Sequence, residues 1–498
     1  MECILTELHN VLNRRSFIKS SAGIILGGSI PSIGLGTAKA RKITIIGAGL
    51  SGLSCAINLQ NAGYEVKVLE ASRQAGGRVK TQYISGIPVD LGATRIPDYH
   101  HLTLDLVKSL GLELEAQKIE LPKILCYGNK LTYNHHVPVV IPSSLPLSKN
   151  EQSLGYSGLL QSLNSLIVDL FDPNKNGQAS QKKVLSWLDQ FSFSNLLKYF
   201  NFSPAAIKLI RGNFGSEIDH FSASIYAIQT LYDQKWRKTY RLKKGNQALP
   251  QELAKKIRHI SYNSYVKAIK QDPHQALVIY TDSHGNLHSL KSDLVLLAIS
   301  PIALKNIEIS PGLSKEKSQA IEQVKMSSVA RINYICEKAF WRQGTQYGPL
   351  NLVESDLMIE RVWDQNFFSP ASSNGVLTIY SEGKNASKLA SLPYHSRQEE
   401  ADKLLKIVFP EVLNYVEHTS HYCWSQNRFI GGSWLNYRPG QLNLLGTLSK
   451  REGRLFFAGD HTSLMVGWMQ GAIESGLTAA QHIKESTLLP TSKKLNRI

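Results

Sequence analysis

The chain has 498 residues, enough for two or three domains of roughly 100–200 residues each. Hydrophobic residues make up 42% and charged residues 19%, the balance of a globular protein with a large core. The formal net charge is +17, but the basic residues are scattered and no nucleic-acid recognition motif accompanies them. We therefore expect no nucleic acid, and we interpret the charge as serving solubility, with a positive field that also favours anionic ligands. No apolar run reaches the roughly 20 residues that span a bilayer, so no stable membrane span is expected.

Residues 1–40 have the order of a secretory signal. Arg14-Arg15, followed by Ser-Phe-Ile-Lys, resembles the bacterial twin-arginine signal. A mildly apolar stretch follows, and Ala38-Lys39-Ala40 has the small residues of a cleavage site. We expect export through the twin-arginine machinery, to the periplasm or the medium. A disordered basic N-terminus is the alternative.

The cysteines, Cys3, Cys55, Cys126, Cys336 and Cys423, match neither a metal site nor a compact disulfide scaffold. Cys55 reads as a small buried thiol. A single disulfide between two of the other cysteines is the alternative.

A dinucleotide-binding unit begins at Lys42. The β-branched run Lys42–Ile46 predicts a buried strand, followed by the turn Gly47-Ala48-Gly49-Leu50-Ser51-Gly52 and a helix over residues 53–59. Residues 65–69 predict a second strand, and Glu70 stands at its end. Strand, glycine turn, helix, strand and acid are in the register of a βαβ nucleotide site.

Each residue type in this unit has a physical purpose. Gly47 permits the tight turn, Gly49 lets the backbone approach a pyrophosphate, and Gly52 lets the helix pack on the strand. The helix N-terminus, which includes Ser51, presents free N–H groups to phosphate. Glu70 would accept the ribose hydroxyls and repel a 2′-phosphate.

The segment Ala71 to Val79 contains Gly76-Gly77-Arg78, which resembles the "GGR" element of two-domain flavoproteins. The resemblance implies FAD as the cofactor, with Ala71 and Gly77 beside it and Arg78 on its phosphates.

The far end of the chain completes the site. Residues 453–460 form an apolar run that ends in Gly459-Asp460, and flavoproteins of this class place such an acid on the ribityl chain. Residues 469–484, beginning at Met469, predict a helix whose N-terminal dipole would face the flavin ring. The backbone of residues 264–269, which include Val266, would face the adenine, and residues 294–301 predict a buried strand followed by a turn. The nucleotide domain is therefore discontinuous.

From Lys42 to Ile483 the chain resembles the flavin amine oxidase family, which includes monoamine oxidases and L-amino-acid oxidases. Further matching motifs are Leu242 to Pro250 and Ala339 to Arg342. The resemblance implies an α/β fold: a two-domain flavoprotein with a discontinuous Rossmann-like FAD-binding domain and an α+β substrate-binding domain with a helical section. We assign 1–40 to the signal, 41–100, 248–310 and 425–490 to the FAD-binding domain, and 101–247 and 311–424 to the substrate-binding domain, with helices over about 151–240.

The segment Asp90 to Pro97 resembles the L-amino-acid oxidase form of this family. Its Gly92, Ala93 and Thr94 would lie beside the cofactor, and Arg95 would grip a substrate carboxylate. A planar guanidinium suits such a bidentate pair. A surface or phosphate-binding arginine is the alternative. His100 stands where such oxidases often have a histidine, and a local structural role is its alternative.

Two aromatic positions also carry over. Gly467-Trp468 resembles a substrate-contacting pair, and Trp434, in Gly431 to Trp434, would form the other wall of an aromatic cage. Such walls favour a large apolar or aromatic substrate side chain. Trp363 is a further pocket candidate. Either cage tryptophan could instead belong to the core.

The chain departs from the family pattern twice. Ser433 stands where some monoamine oxidases attach FAD through cysteine, so we expect non-covalent FAD. Arg331 aligns with a lysine whose ammonium, through water, touches flavin N5, and we assign it a catalytic role. Arginine is larger and stays charged, which puts the standard reaction with oxygen in question. A strand-surface position for Arg331 is the alternative.

The resemblance implies FAD-dependent oxidative deamination of an L-amino acid by O2, which releases a 2-oxo acid, ammonia and hydrogen peroxide. The alternatives are an amine or polyamine oxidase, a flavin dehydrogenase or monooxygenase, and a non-enzymatic exported FAD-containing scaffold. The resemblance also allows a homodimer.

Overall fold

A computed structural model describes residues 41–118, 123–134, 141, 145–172, 178–342, 352–365 and 374–488. The predicted signal over residues 1–40, with Cys3, lies outside these residues. In the part of the chain that the structure describes, no helix is both long and apolar enough to cross a membrane.

A parallel five-stranded sheet forms the nucleotide half of the molecule. Its strands come from distant parts of the chain. Three of them, Lys42–Ile46, Leu294–Leu297 and Leu455–Phe457, are short runs buried on both faces, as in parallel sheets generally. Their order across the sheet is Ile260–Ser261, Glu65–Leu69, Lys42–Ile46, Leu294–Leu297 and Leu455–Phe457. The helices Leu50–Asn61 and Met469–Leu488 pack against each other beside this sheet. All five strands and both helices lie in segments that the sequence assigned to the FAD-binding domain.

Smaller sheets flank this core. A four-stranded sheet has the order Leu287–Ser292, Ala276–Thr281, Tyr265–Gln271 and Glu308–Ser310. A three-stranded sheet has the order Ile96–Pro97, Lys238–Leu242 and Leu114–Lys118, and the pairs Thr81–Ile84 with Ile87–Asp90 and Lys325–Met326 with Leu435–Asn436 complete the set.

A seven-stranded sheet is the base of the other half. Its neighbouring strands run antiparallel except for one parallel pair, Leu352–Ser355 with Lys123–Tyr127. The order is Val416–Cys423, Val329–Cys336, Gly375–Glu382, Arg361–Asp364, Leu352–Ser355, Lys123–Tyr127 and Lys130–Asn134.

Helices cover this second half, and those over the predicted helical section are Lys149–Leu170, Gln178–Leu188, Phe193–Tyr199, Pro204–Phe214 and Ala223–Asp233. The other helices are His101–Ser109, Ala248–Lys255, Pro301–Leu304, Lys315–Gln323, Gly383–Ser391, Tyr394–Val408 and Leu444–Ser449, with single 3₁₀ turns at Ser216–Asp219, Val412–Asn414, Trp424–Gln426 and Asp460–Thr462.

The core does not divide at residue 100. Leu106, Val107 and Leu242 are buried in the same apolar cluster as Ile43 and Ile473. The segment that follows residue 100 therefore packs with the nucleotide half, although the sequence assigned it to the substrate-binding domain.

The four described cysteines, Cys55, Cys126, Cys336 and Cys423, are buried free thiols. Burial raises the pKa of Cys126 and of Cys336 to about 12. These thiols therefore read as structural residues.

Candidate active site

A cavity of about 1230 Å³ extends between the two halves, from the glycine turn to the sheet that carries Arg331. Nearly all residues predicted for the site line it. They are Gly47, Gly49, Ser51, Glu70, Ala71, Gly77, Arg78, Gly92, Ala93, Thr94, Arg95, Val266, Arg331, Trp363, Trp434, Asp460, Gly467, Trp468 and Met469.

The two remaining predictions, Gly52 and Gly459, lie behind the cavity wall. A Cβ at Gly52 would collide with the carbonyl oxygen of Gly47, which is the close packing expected there. A Cβ at Gly459 would collide with the ring of His461. These two glycines shape the turns that face the cavity. Gly49 differs, since a Cβ there would meet no protein atom within 4 Å.

The side chain of Glu70 is hydrogen-bonded to the backbone of the glycine turn. Its carboxylate accepts hydrogen bonds from the backbone N–H of Ala48 at 2.6 Å and of Ser72 at 2.9 Å, and from Ser72 Oγ at 2.7 Å. The carboxylate is thus fixed at the carboxyl end of its strand, beside the helix N-terminus, where a ribose is recognised in such folds.

Arg78 and Asp460, predicted to make separate contacts with the cofactor, pair with each other. The guanidinium makes two bonds to the carboxylate, one of them 3.0 Å from Nη1 to Oδ2. Arg78 also donates to the carbonyl of Ser433 at 3.0 Å, and Asp460 accepts from the N–H of Gly467 at 2.9 Å. The pair therefore joins segments that are 382 residues apart.

The guanidinium of Arg95 faces the cavity. The side chain is open to the cavity but enclosed by protein elsewhere. Burial, then the nearby charges of Arg361 and Arg331, lower its pKa to about 10. Its guanidinium carbon lies 5.5 Å from the centre of the Trp363 ring. Among the described residues no hydrogen bond or ion pair engages it, which is the state of a receptor for an anion.

Arg331 lies on the buried strand Val329–Cys336 and faces the cavity, not an outer surface. Its Nη1 donates to the carbonyl of Asp90 and to Thr94 Oγ1, both at 2.7 Å. Burial lowers its pKa, but a guanidinium stays protonated in proteins. Its guanidinium carbon is 5.6 Å from the centre of the Trp363 ring, so Arg331 and Arg95 both lie near this ring.

Three further cavity residues were not identified from the sequence. Tyr380 lies in register with Arg331 on one side and with Arg361 on the other. Arg361 pairs with Glu382, and burial, opposed by Arg361, raises the pKa of Glu382 to about 7. The alternation of side chains along a strand was an available signal, because Tyr380 shares a face with Glu382 and Arg361 with Trp363. The sequence carried no signal for which of those strands pair with each other.

The two cage tryptophans lie close together. A Cβ at Gly467, next to Trp468, would be 3.4 Å from Trp434 Cβ. The Trp468 ring also meets the edges of Trp236 at 6.1 Å and of His100 at 4.9 Å between ring centres.

His100 is buried behind Trp468 and is not part of the cavity lining. Neither ring nitrogen finds a hydrogen-bond partner among the described residues. Burial, then the charge of His101, lower the pKa of His100 to about 3. It is therefore a neutral packing residue, which agrees with a local structural role.

Known proteins resemble this chain over most of its length. An L-amino-acid oxidase of Sistrurus catenatus edwardsii is 26% identical over 475 residues, which cover 92% of this chain and 90% of the relative. A putative L-amino-acid oxidase of Bacillus subtilis is 27% identical over 460 residues, covering 89% and 94%.

Solved structures share the fold. A putrescine oxidase structure with bound putrescine has a TM-score of 0.74 at 19% identity, over 90% of this chain and 99% of its own. Cyclohexylamine oxidase from Brevibacterium oxydans has a TM-score of 0.74 at 21% identity, over 90% and 100%. The predicted fold class is confirmed.

A family model described as flavin-containing amine oxidoreductase matches residues 50–484. The chain therefore belongs to that family, and it is a flavin-dependent oxidoreductase.

Proposed function

We propose that the protein is an FAD-dependent oxidase that deaminates L-amino acids. The observation that carries the proposal is Arg95, a cation that faces the cavity without a described carboxylate partner. An amine substrate has no group for it to bind, whereas the carboxylate of an amino acid does. The similarity to proteins named as L-amino-acid oxidases gives the same substrate class.

The cofactor we propose is FAD, held without a covalent bond. The open space at Gly49 and the fixed carboxylate of Glu70 suit a pyrophosphate and a ribose. Val266 and Tyr265 line the same cavity on the side expected for the adenine. Ser433 has no thiol to form a bond, and no cysteine belongs to the described cavity lining.

In the proposed reaction, Arg95 holds the α-carboxylate while Trp434 and Trp468 orient the neutral amine and exclude water. When bound, the flavin supplies the acceptor for the hydride that leaves the α-carbon. Arg331 keeps a fixed positive charge at this end of the cavity, where negative charge develops. The overall reaction converts an L-amino acid, O2 and water into a 2-oxo acid, ammonia and hydrogen peroxide.

Replacing Arg95 tests the substrate class. Arg95→Leu should weaken the binding of an L-amino acid by about 2–5 kcal/mol, because its carboxylate would face an apolar wall. The measurement is anaerobic flavin reduction as a function of L-leucine concentration. Isopentylamine, which is leucine without its carboxylate, is the matched ligand and should lose no affinity. Unchanged turnover of L-leucine by the variant would make the amine oxidase alternative the better one.

The oxidant is tested separately, because Arg331 favours a dehydrogenase or monooxygenase as the second candidate. The oxidase should release about one peroxide for each amino acid consumed. A peroxide yield near zero, with the flavin still reduced by the amino acid, would favour the second candidate. A flavin that no L-amino acid or amine reduces would favour the scaffold.

We also propose that residues 1–40 direct export by the twin-arginine route. Replacing Arg14 and Arg15 by lysine should leave the protein in the cytoplasm of a bacterial host that exports the unchanged chain. The measurement is flavin-containing protein in the periplasmic and cytoplasmic fractions. Equal export of both proteins would contradict the proposal.

A further inference from the structure

The helix Ala223–Asp233 turns a polar face toward the cavity. Its cavity-lining residues are Ile225, Tyr226, Gln229, Thr230 and Asp233, and the last four, which carry polar groups, follow the three- and four-residue spacing of one helix face. The other face carries Ala227 and Ile228 into the apolar core. The carboxylate of Asp233 in this wall does not suit the large apolar side chain that the aromatic cage favours.

Asp233 is the acidic residue on this face. Tyr99 Oη donates to its Oδ1 at 2.6 Å, and among the described residues no cation forms an ion pair with it. Burial, opposed by that hydrogen bond, raises its pKa to about 6. It is also the last residue of its helix, where the helix dipole disfavours a negative charge. A cation placed beside this side chain would stabilise its charged form.

Arg237, a cavity-lining arginine four residues after Asp233, does not provide that charge. Arg237 donates through Nη1 to the carbonyls of Gln234 at 2.9 Å and of Trp236 at 3.0 Å. Its backbone N–H donates to Asp98, not to Asp233.

Asp233 is tied to the aromatic end of the cavity. Its carbonyl accepts from the backbone N–H of Trp236 at 2.9 Å, and the Trp236 ring lies edge-on to Trp468 at 6.1 Å. All three residues line the cavity. A cation beside Asp233 would thus meet aromatic rings as well as a carboxylate.

The positions of Arg95 and Asp233 are linked through Tyr99. Tyr99, which holds Asp233, is four residues beyond Arg95, a separation of at most about 14 Å along the chain. Both charged side chains face one cavity. A substrate with a carboxylate at one end and a cation at the other matches the two charges.

We propose that Asp233 binds the side-chain cation of a basic L-amino acid, such as lysine or arginine, whose α-carboxylate pairs with Arg95. The proposal rests on the proposed function and specifies its substrate class.

The test compares L-lysine with L-norleucine, which is lysine without its ε-amino group. Anaerobic reduction of the flavin-loaded protein is followed as a function of each concentration. Lysine should reach half-saturation at a concentration at least tenfold lower. Asp233→Asn keeps the size of the side chain and should remove that preference while norleucine is unaffected. Asp98→Asn, a change from carboxylate to amide outside the cavity lining, is the matched control and should keep it.

A second variant covers failure of Asp233→Asn to fold. Tyr99→Phe removes the hydrogen bond but leaves the carboxylate free for a ligand, so the preference for lysine should stay or increase. Norleucine equal to lysine in the unchanged protein, or a preference that Asp233→Asn retains, would overturn this substrate assignment alone. If amines but no L-amino acid reduce the flavin, the proposed function fails, and this assignment with it.

Discussion

Gly49 and Gly52 lie three residues apart in one turn, and glycine serves a different purpose at each. At Gly52 a side chain would collide with the backbone of Gly47, so the protein itself requires glycine. At Gly49 a side chain would meet no protein atom and would project into the cavity. The space beside Gly49 is therefore available to a ligand, and the two positions separate folding from binding.

Gly49→Ala should leave the flavin-free protein folded, with a change in unfolding free energy of at most about 1 kcal/mol at this helix start. The added methyl group should weaken FAD binding at least about tenfold, equivalent to 1.4 kcal/mol. Titration of FAD into flavin-free protein, with urea unfolding, measures both. Gly446→Ala is the control for FAD affinity, since its site is equally open but outside the cavity, and it should leave that affinity unchanged. Because Gly446 lies inside the helix Leu444–Ser449, alanine there should raise the unfolding free energy slightly. An unchanged FAD affinity in Gly49→Ala would contradict the proposal that the FAD phosphates bind at this turn.

His100 should make the folded protein sensitive to acid. Its pKa is about 3 when folded and 6.5 ordinarily, so the unfolded chain binds more protons between those values. The unfolding free energy should therefore fall as the pH drops from 6.5 toward 3, by at most about 1.4 kcal/mol per unit. His100→Leu should flatten this dependence, measured by urea unfolding at several pH values. Parallel curves for the two proteins would show that His100 is not kept neutral.

At the scale of elements, the sequence predicted neighbouring strands and helices better than it predicted which distant strands pair. The strands Lys42–Ile46 and Glu65–Leu69 and the helix between them follow from a continuous stretch of sequence, because each element packs on its neighbour. The cavity row of Arg331, Tyr380 and Arg361 depends on three strands, in which Tyr380 pairs with Arg331 on one side and with Arg361 on the other. Side-chain type alone could not establish that register.

Glu151 connects two helices of the section that covers the cavity. It forms a capping box with Ser148 at the start of Lys149–Leu170, and it accepts from the N–H of Ser203 at 2.8 Å. Ser203 in turn caps the helix Pro204–Phe214. Glu151→Ala should therefore lower the unfolding free energy by about 1–2 kcal/mol.

Urea unfolding measures this loss, and Glu316→Ala is its control. Glu316 is also in the first turn of a helix but is exposed, so its replacement should stay within about 0.5 kcal/mol. Equal losses in the two variants would mean that the link through Ser203 contributes nothing.

At the scale of the whole molecule, sequence motifs located the nucleotide site but not how its parts meet. Each of Arg78 and Asp460 was assigned to the cofactor from its own motif. Their direct pairing depends on how the C-terminal strand joins the parallel sheet, since that strand aligns with Leu294–Leu297 rather than with a neighbour in sequence. The sequence also did not predict that the polar helix face around Asp233 lines the cavity, because helical spacing alone does not tell which face of a helix meets a cavity.

The Arg78–Asp460 pair should stabilise the flavin-free protein, because it joins two segments that are 382 residues apart in the sequence. Asp460 is only 5% exposed in its side chain, and removing one partner of a buried pair costs about 3–5 kcal/mol. Arg78→Leu and Asp460→Leu should each cost the flavin-free protein close to that amount, but the double variant should cost less than the sum by about 1–3 kcal/mol. Urea unfolding of the four proteins gives this coupling energy. Costs that simply add would mean that the two side chains act independently, each through the bonds to Ser433 and Gly467.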